Sequence, residues 1–410
     1  MQNVVKQEIM ALAGDQAVAY AVKQSDVDVV AAYPITPQTI IVEKFSEYVA
    51  DGEVETEFVC VESEHSAMAA SISASATGAR AFTATASAGL ALMHEMLFVA
   101  SGCRVPVVMA VANRALSAPL NIHGDHSDSM AQRDSGWIQL YAENAQEAYD
   151  SIIQAFRIAE NLDVLLPVMV GLDGFTLSHT LENVEALPDE TVKDFVGVRK
   201  FPNVLTHEGK TAPFRLDPAN PMTMGPIALQ NYYFEFKRQQ EEAMENALTV
   251  IQQMNSEYAK ISGRSYGNGL IEAYCLEDAE VATICLGSTA GTMKTVVDDL
   301  RQEGVKAGLL RLRTFRPLPV EAIRSALANV KAVAVMDKCI SFGGNGGPVF
   351  HEVRHLLYEA TNRPYVVNYI YGLGGRDTSP VELRSIYENL QGILQAGRVE
   401  TPIQYLGLRD

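Results

Sequence analysis

Residues 105–112 read VPVVMAVA, eight positions without a polar side chain, and this stretch decides the fold. A strand with one wet face alternates apolar and polar residues. A strand that is apolar at every position is covered on both faces, as in a parallel sheet with helices packed on either side. The same pattern recurs in VDVVAAY (27–33), EFVCVE (57–62), ARAFTATA (79–86) and LLPVMVGL (165–172). Helix-like segments lie between these runs: DQAVAYAVKQ, EHSAMAASISASA, GLALMHEMLFVASG and NAQEAYDSIIQAFRIAEN. Strands alternating with helices specify an α/β domain with a parallel sheet.

From about residue 176 to 234 the alternation stops. FPNVLTHEGKTAPFRLDPANPMTMGP (201–226) is rich in proline and reads as an excursion over the surface. FEFKRQQEEAMENALTVIQQMNSEYAKI then gives one long helix, read as a connector over 235–266. A second α/β block occupies 267–410, with strands at AEVATICLG, AGLLRLR, KAVAVMDK and YVVNYIYG and helices at TAGTMKTVVDDLRQEG, PVEAIRSALANV and GPVFHEVRHLLYEA. The expected organisation is therefore an amino-terminal α/β domain over 1–234, a connecting helix, and a carboxy-terminal α/β domain.

At 410 residues the chain can build more than one core. Its formal net charge of −18 excludes nucleic acid and anionic membrane as partners, since both require a basic surface. No apolar run reaches membrane-spanning length, and MQNVVKQEIMALAGD lacks the apolar core of a targeting peptide. The expectation is a cytoplasmic protein. The five cysteines are scattered without a CxxC pair and read as buried thiols in a reducing compartment. A zinc or iron–sulfur site held by this chain alone is not expected.

Four stretches carry candidate chemistry. In AAYPITPQT (31–39), Pro34 and Pro37 bracket Ile35 and Thr36, which stiffens the loop that carries the Thr36 hydroxyl. One reading makes Thr36 a helix N-cap with Pro37 at the first helical position; the other makes it a ligand donor. In VESEHSAMAASISASATGARA, Glu62 and Glu64 stand where a strand passes into a helix of small residues. Glu62 reads as a counter-charge to the helix dipole, whereas Glu64 is open between that role and a site. Arg114 follows the strand of the opening stretch, where an arginine can clamp a carboxylate bidentately or pair with a loop aspartate. The long loop after it contains HGDHSD, with His123, Asp125, His126 and Asp128 within six residues. It reads as loop hydrogen bonding or partner contact rather than as a metal site. SFGGNGGPVF and GLGGRD match no phosphate-loop fingerprint and read as tight turns.

Together AAYPITPQT, VESEHSAMAA, TASAGL and ANRALSAPLNIHGDHSD, with FRPLP and FGGNGGP further on, resemble the alpha chain of 2-oxoacid:ferredoxin oxidoreductases, and of the pyruvate:ferredoxin member in particular. The resemblance covers nearly the whole chain. It implies two transketolase-like domains, one of the pyrimidine-binding type and one of the carboxy-terminal type. It further implies oxidative decarboxylation of pyruvate with coenzyme A to acetyl-CoA, carbon dioxide and reduced ferredoxin, a reversible reaction. Another 2-oxoacid, branched-chain or oxalate, or a purely assembly role are the alternatives. Thiamine diphosphate would be shared with a beta chain that holds its diphosphate and Mg2+, in keeping with the lack of a GDG element here. Iron–sulfur clusters would lie on partner chains, with gamma and delta (ferredoxin-like) subunits completing the complex. Residue by residue, Glu64 matches the glutamate that hydrogen-bonds N1′ of the aminopyrimidine. A carboxyl group buried among small apolar side chains favours such a proton-sharing contact. Arg114 matches the arginine that binds the substrate carboxylate, and Thr36, beside Ile35, the threonine whose hydroxyl contacts substrate. Ser87 falls in the cofactor-proximal TASAGL element, where Ala88 replaces a frequent glutamine.

Overall fold

The computed structural model describes residues 5–206 and 208–409. The first four residues of MQNVVKQEIMALAGD lie outside that range. Two large sheets organise the chain. The first has seven strands in the spatial order Thr314–Arg316, Ile138–Tyr141, Val168–Asp173, Val108–Asn113, Ala81–Thr85, Val29–Ala32 and Glu57–Cys60. Six of the seven run parallel; Thr314–Arg316 pairs antiparallel with Ile138–Tyr141. The second sheet runs Ile271–Tyr274, Ala307–Leu312, Val281–Cys285, Ala332–Asp337, Tyr365–Ile370 and Ile403–Tyr405, parallel except for its first strand.

The two-faced covering expected from continuous apolar runs holds for the interior strands. Every residue of Ala81–Thr85, Val108–Asn113 and Val168–Asp173 is buried. It does not hold for Glu57–Cys60, an edge strand in which Val59 is 38% exposed and Cys60 lies open. Cys103 and Cys275 are half-buried, so only Cys285 and Cys339 fit the expectation of buried thiols. The helix Glu64–Thr77 shows why small residues matter: Ala67, Ser71 and Ser75 form its buried face. Ser75 and Ser71 satisfy their hydroxyls on the carbonyls of Pro106 and Ala67. Ser63 caps its start by accepting from Ser66 N, and Gly78, at φ +112°, ends it in the left-handed region.

The excursion over 176–234 contains more regular structure than its composition suggests. Leu181–Ala186 pairs antiparallel with Glu8–Ala13, followed by a helix at Asp189–Val196 and a small hairpin of Asn203–Leu205 with Thr211–Pro213. The long helix runs from Tyr233 to Ser262. The glycine-rich turns adopt the expected positive φ, with Gly343 at 75°, Gly346 at 127°, Gly372 at 64° and Gly375 at 75°. Among the described residues, no helix is long and apolar enough to cross a membrane.

Two arginines of the second block and one of the connector bind carboxylates on a single helix of the first block. Glu147, in the helix Ala145–Ala159, is fully buried and accepts from Arg311 and, at 3.0 Å, from Arg313. Arg264 donates to Asp150 on the same helix at 2.6 and 2.8 Å.

Candidate active site

In open parallel sheets, ligands gather at the carboxyl ends of the strands. The expected site residues lie there. Val29–Ala32 leads to Ile35 and Thr36, Glu57–Cys60 to Glu64, Ala81–Thr85 to Ser87, and Val108–Asn113 to Arg114. These are four neighbouring strands of one sheet, so residues spread over 80 positions of sequence share one edge.

Glu64 is the first residue of its helix and is 7% exposed. Its carboxylate has no hydrogen-bond or ion-pair partner among the described residues. It rests over the helix Ser87–Leu92, where Gly89 makes room for it. A Cβ at position 89 would stand 2.6 Å from Glu64 Oε1 and 2.5 Å from Thr85 Oγ1. The Thr85 hydroxyl is itself buried without a partner. Glu62, by contrast, is exposed and accepts from the Ser66 hydroxyl, which lowers its pKa. That is the helix-start role expected of it.

Arg114 is 7% exposed. Its Nη1 donates to the Thr36 carbonyl at 2.8 Å and its Nε to the Asn121 carbonyl at 3.1 Å. No carboxylate pairs with its guanidinium among the described residues. The ion pair with a loop aspartate is not formed among the described residues; Asp128 of that loop accepts the backbone N–H of Arg114 instead. The cation is thus nearly buried, oriented by two neutral carbonyls, and free to meet an anion.

Thr36 is exposed, and the N-cap reading for it is corrected. The helix begins at Thr39 with Gln38 before it, and Ile41 N donates to the Gln38 carbonyl at 2.9 Å. The reason lies in Gln38, a fully buried side chain that the sequence reading passed over. Its Oε1 accepts from Ile35 N at 3.2 Å and its Nε2 donates to the Ala84 carbonyl at 2.8 Å, which anchors the loop to the sheet. Ile35 is therefore held through its backbone, and the Thr36 side chain is left to face outward.

Ser87 is buried with φ +45°. Its hydroxyl donates to the Ala115 carbonyl at 2.6 Å and its N–H donates to Asp128. The side chain is used to tie the Arg114 loop to the helix start, not to face a ligand.

The HGDHSD residues spread their bonds outward, in line with the loop reading. Asp125 accepts from Ser127 and from Gly374 N. His126 Nε2 meets Asp173 Oδ1 at 2.7 Å, and His123 packs against the Phe175 ring. Asp173 also accepts from Lys338 at 2.9 Å and from Ser288 N at 2.8 Å in the second block. Burial alone would raise the Asp173 pKa, but Lys338, His126 and Ser288 outweigh it and hold the carboxyl well below the usual range. Among the described residues no group of three or more His, Cys, Asp and Glu side chains converges on a metal-sized space.

This edge offers a buried carboxylate and a buried guanidinium, both lacking an ionic partner. Glu64, seated against a glycine and a lone hydroxyl, keeps a carboxyl group able to share a proton with a ring nitrogen.

Two family models match the chain. One, described as pyruvate flavodoxin/ferredoxin oxidoreductase, thiamine diphosphate-binding, covers residues 20–256. The other, pyruvate:ferredoxin oxidoreductase core domain II, covers 279–383. Pyruvate synthase subunit PorA of Methanocaldococcus jannaschii is 53% identical over 94% of this chain and 95% of its own. The PorA subunit of Thermotoga maritima is 51% identical over the full length of both. Ketoisovalerate oxidoreductase subunit VorA of Pyrococcus horikoshii is 43% identical over 97% of this chain and 98% of its own. Among solved structures, a 2-oxoglutarate:ferredoxin oxidoreductase from Magnetococcus marinus superposes with a TM-score of 0.76 at 21% identity, over 94% of this chain and 65% of that one. A split-gene transketolase superposes with a TM-score of 0.50 at 12% identity, over 94% and 98%. These two likenesses bear out the transketolase-like α/β fold. With family models over both blocks and full-length relatives at half identity, the chain belongs to the pyruvate:ferredoxin oxidoreductase family.

Proposed function

We propose that this chain is the alpha subunit of a pyruvate:ferredoxin oxidoreductase, which converts pyruvate and coenzyme A to acetyl-CoA and carbon dioxide while reducing ferredoxin, and runs in reverse when the carrier is sufficiently reducing. The observation that carries the reading is the pair on one sheet edge: Glu64 without a partner and Arg114 without a counter-ion among the described residues. When bound, thiamine diphosphate supplies a nucleophilic carbon and an electron sink for loss of carbon dioxide. Glu64 holds a proton at its carboxyl toward the pyrimidine ring of that cofactor. Arg114 binds the substrate carboxylate, and its two carbonyl partners fix the fork so that little freedom is lost on binding. Thr36, on a loop anchored by Gln38, offers its hydroxyl to the same substrate, with Ile35 beside it as an apolar wall. Ser87 contributes to the cofactor side through the turn it holds rather than through its hydroxyl.

The chain supplies no cluster ligands and no diphosphate site in this reading. A beta chain carries the diphosphate and Mg2+, and gamma and delta chains carry [4Fe-4S] clusters that pass electrons to ferredoxin. The subunit names of the relatives support a multi-chain assembly. A branched-chain 2-oxoacid is the second reading, favoured by the 43% identity to a ketoisovalerate oxidoreductase subunit. The test is turnover by the reconstituted complex with pyruvate, 2-oxoisovalerate and oxalate. Pyruvate should show the highest kcat/KM; preference for either rival reassigns the substrate. An assembly-only role predicts full activity for Glu64→Ala and Arg114→Ala.

A further inference from the structure

Asp128 is completely buried, and no step above uses it. Its Oδ2 accepts two backbone N–H groups, from Ser87 and from Arg114, each at 2.9 Å. Its Oδ1 accepts from Asn113 Nδ2 at 2.8 Å and from Ser129 N at 2.7 Å. The first pair matters for the site. Ser87 opens the helix whose Gly89 seats Glu64, and Arg114 carries the guanidinium. A single carboxylate therefore touches the backbone behind both halves of the site, although those halves leave different strands. Ser87 sits in the left-handed region, which is uncommon for a residue with a side chain. Its N–H bond to Asp128 and its hydroxyl bond to Ala115 hold it there.

From this geometry we infer that Asp128 is a positioning residue for the reaction, setting the Arg114 guanidinium in register with the Glu64 carboxyl. The inference rests on the reading of Glu64 and Arg114 given above. Four donors converge on one side chain, and only an ionised carboxylate accepts four bonds while donating none. An asparagine of the same shape must turn its NH2 toward one pair of donors. It then leaves either the two site amides or Asn113 and Ser129 opposed by a donor. Displacements on the order of 1 Å in such supporting groups cost roughly 10²-fold in rate.

The test compares Asp128→Asn with the reciprocal swap Asn113→Asp/Asp128→Asn, each in the reconstituted multi-chain enzyme. In the swap, residue 128 keeps an oxygen toward Ser87 and Arg114 and its NH2 faces a carboxylate at 113, so only the Ser129 N–H stays opposed by a donor. Three quantities are read: kcat, KM for pyruvate, and the dissociation constant of thiamine diphosphate by calorimetry. Asp128→Asn should lower kcat/KM by about 10–100-fold and weaken cofactor binding measurably. The swap should recover at least about tenfold of a hundredfold loss. The inference is overturned if assembled Asp128→Asn keeps kcat and KM within about twofold of wild type, whatever its unfolding midpoint. An assembled swap no better than the single variant also overturns it, and the swap alone decides if Asp128→Asn fails to assemble. Glu64→Ala and Arg114→Ala run alongside. If these two lose activity and Asp128→Asn does not, only the positioning role fails. If these two stay active, the reading of the site fails and the inference falls with it.

Discussion

The Glu64 carboxylate is defined as much by what is missing beside it as by what is present. Gly89 leaves the space it occupies, and a methyl group there would stand 2.6 Å from Oε1. Gly89→Ala should therefore push the carboxyl off its seat and lower kcat substantially while the complex still assembles, as read by turnover and gel filtration. Glu64→Gln should cost about 10²–10⁴-fold in kcat, the usual size of a lost proton-transfer group. Arg114→Ala should raise KM for pyruvate and lower kcat/KM by roughly 10²-fold or more, since a buried charge-assisted contact is lost. The positions of Glu64, Arg114 and Thr36 were legible in sequence because each follows a recognisable strand, and the roles proposed for them came from the family resemblance. Gln38 and Gly89 were not legible, and Asp128 was legible only as a loop hydrogen-bonder, without its bond to Ser87. Their roles depend on Ala84, Glu64 and Ser87, partners 25 to 46 positions away that no local pattern links to them.

Among the elements, the continuous apolar strands were readable, but their places in the sheet were not. VPVVMAVA is covered on both faces, as its composition demands, whereas EFVCVE has an apolar centre between two glutamates and lies at a rim. Apolar content reports hydrophobicity, and neighbours on the sheet decide burial. The strand Ile138–Tyr141 and the helix Pro380–Ala396 were not read from sequence at all. The strand's four residues, IQLY, carry a glutamine that breaks the apolar run, yet Gln139 is buried because its amide donates to Ser129 O at 2.9 Å. The helix Ala145–Ala159 carries the clearest energetic test. Glu147 faces both Arg311 and Arg313, each at most 1% exposed. Removing one partner of a buried ion network strands the others without compensation. Glu147→Ala should cost about 3–5 kcal/mol in denaturant unfolding. Glu182→Ala should cost far less, because it deletes only one bond, to Ala145 N, from a partly buried side chain.

Across the whole molecule, the two blocks are fastened by a few buried polar groups as well as by apolar contact. Asp173, at the end of a strand in the first sheet, accepts from Lys338 and Ser288 in the second block. Its pKa is held below the ordinary carboxylate value of about 4, so the native state binds the proton less readily than the unfolded chain. The stability it contributes is complete above about pH 4 and is lost as pH falls through the native value. The cost of Asp173→Asn, measured as a difference in unfolding free energy, should therefore be largest near pH 7 and shrink below about pH 4. Asp128 and Asp337 act oppositely. Burial lifts each to about 6, so what they add is full below about pH 4 and fades as pH rises through 6. The outline of two α/β blocks was visible from the alternation of strands and helices. Their interlock was not, because Thr314–Arg316 crosses to the far sheet as three residues with no distinguishing pattern. That crossing bears on how the chain is made. While the ribosome extends the polypeptide from Tyr141 to Arg316, the backbone of Ile138–Tyr141 has no mate on its outer side. At about 5–20 residues per second that interval lasts roughly 10–35 s. A nascent chain in that window offers a sticky rim to chaperones or to its neighbours on the same message, and a fragment stopped at 266 would keep the rim open permanently.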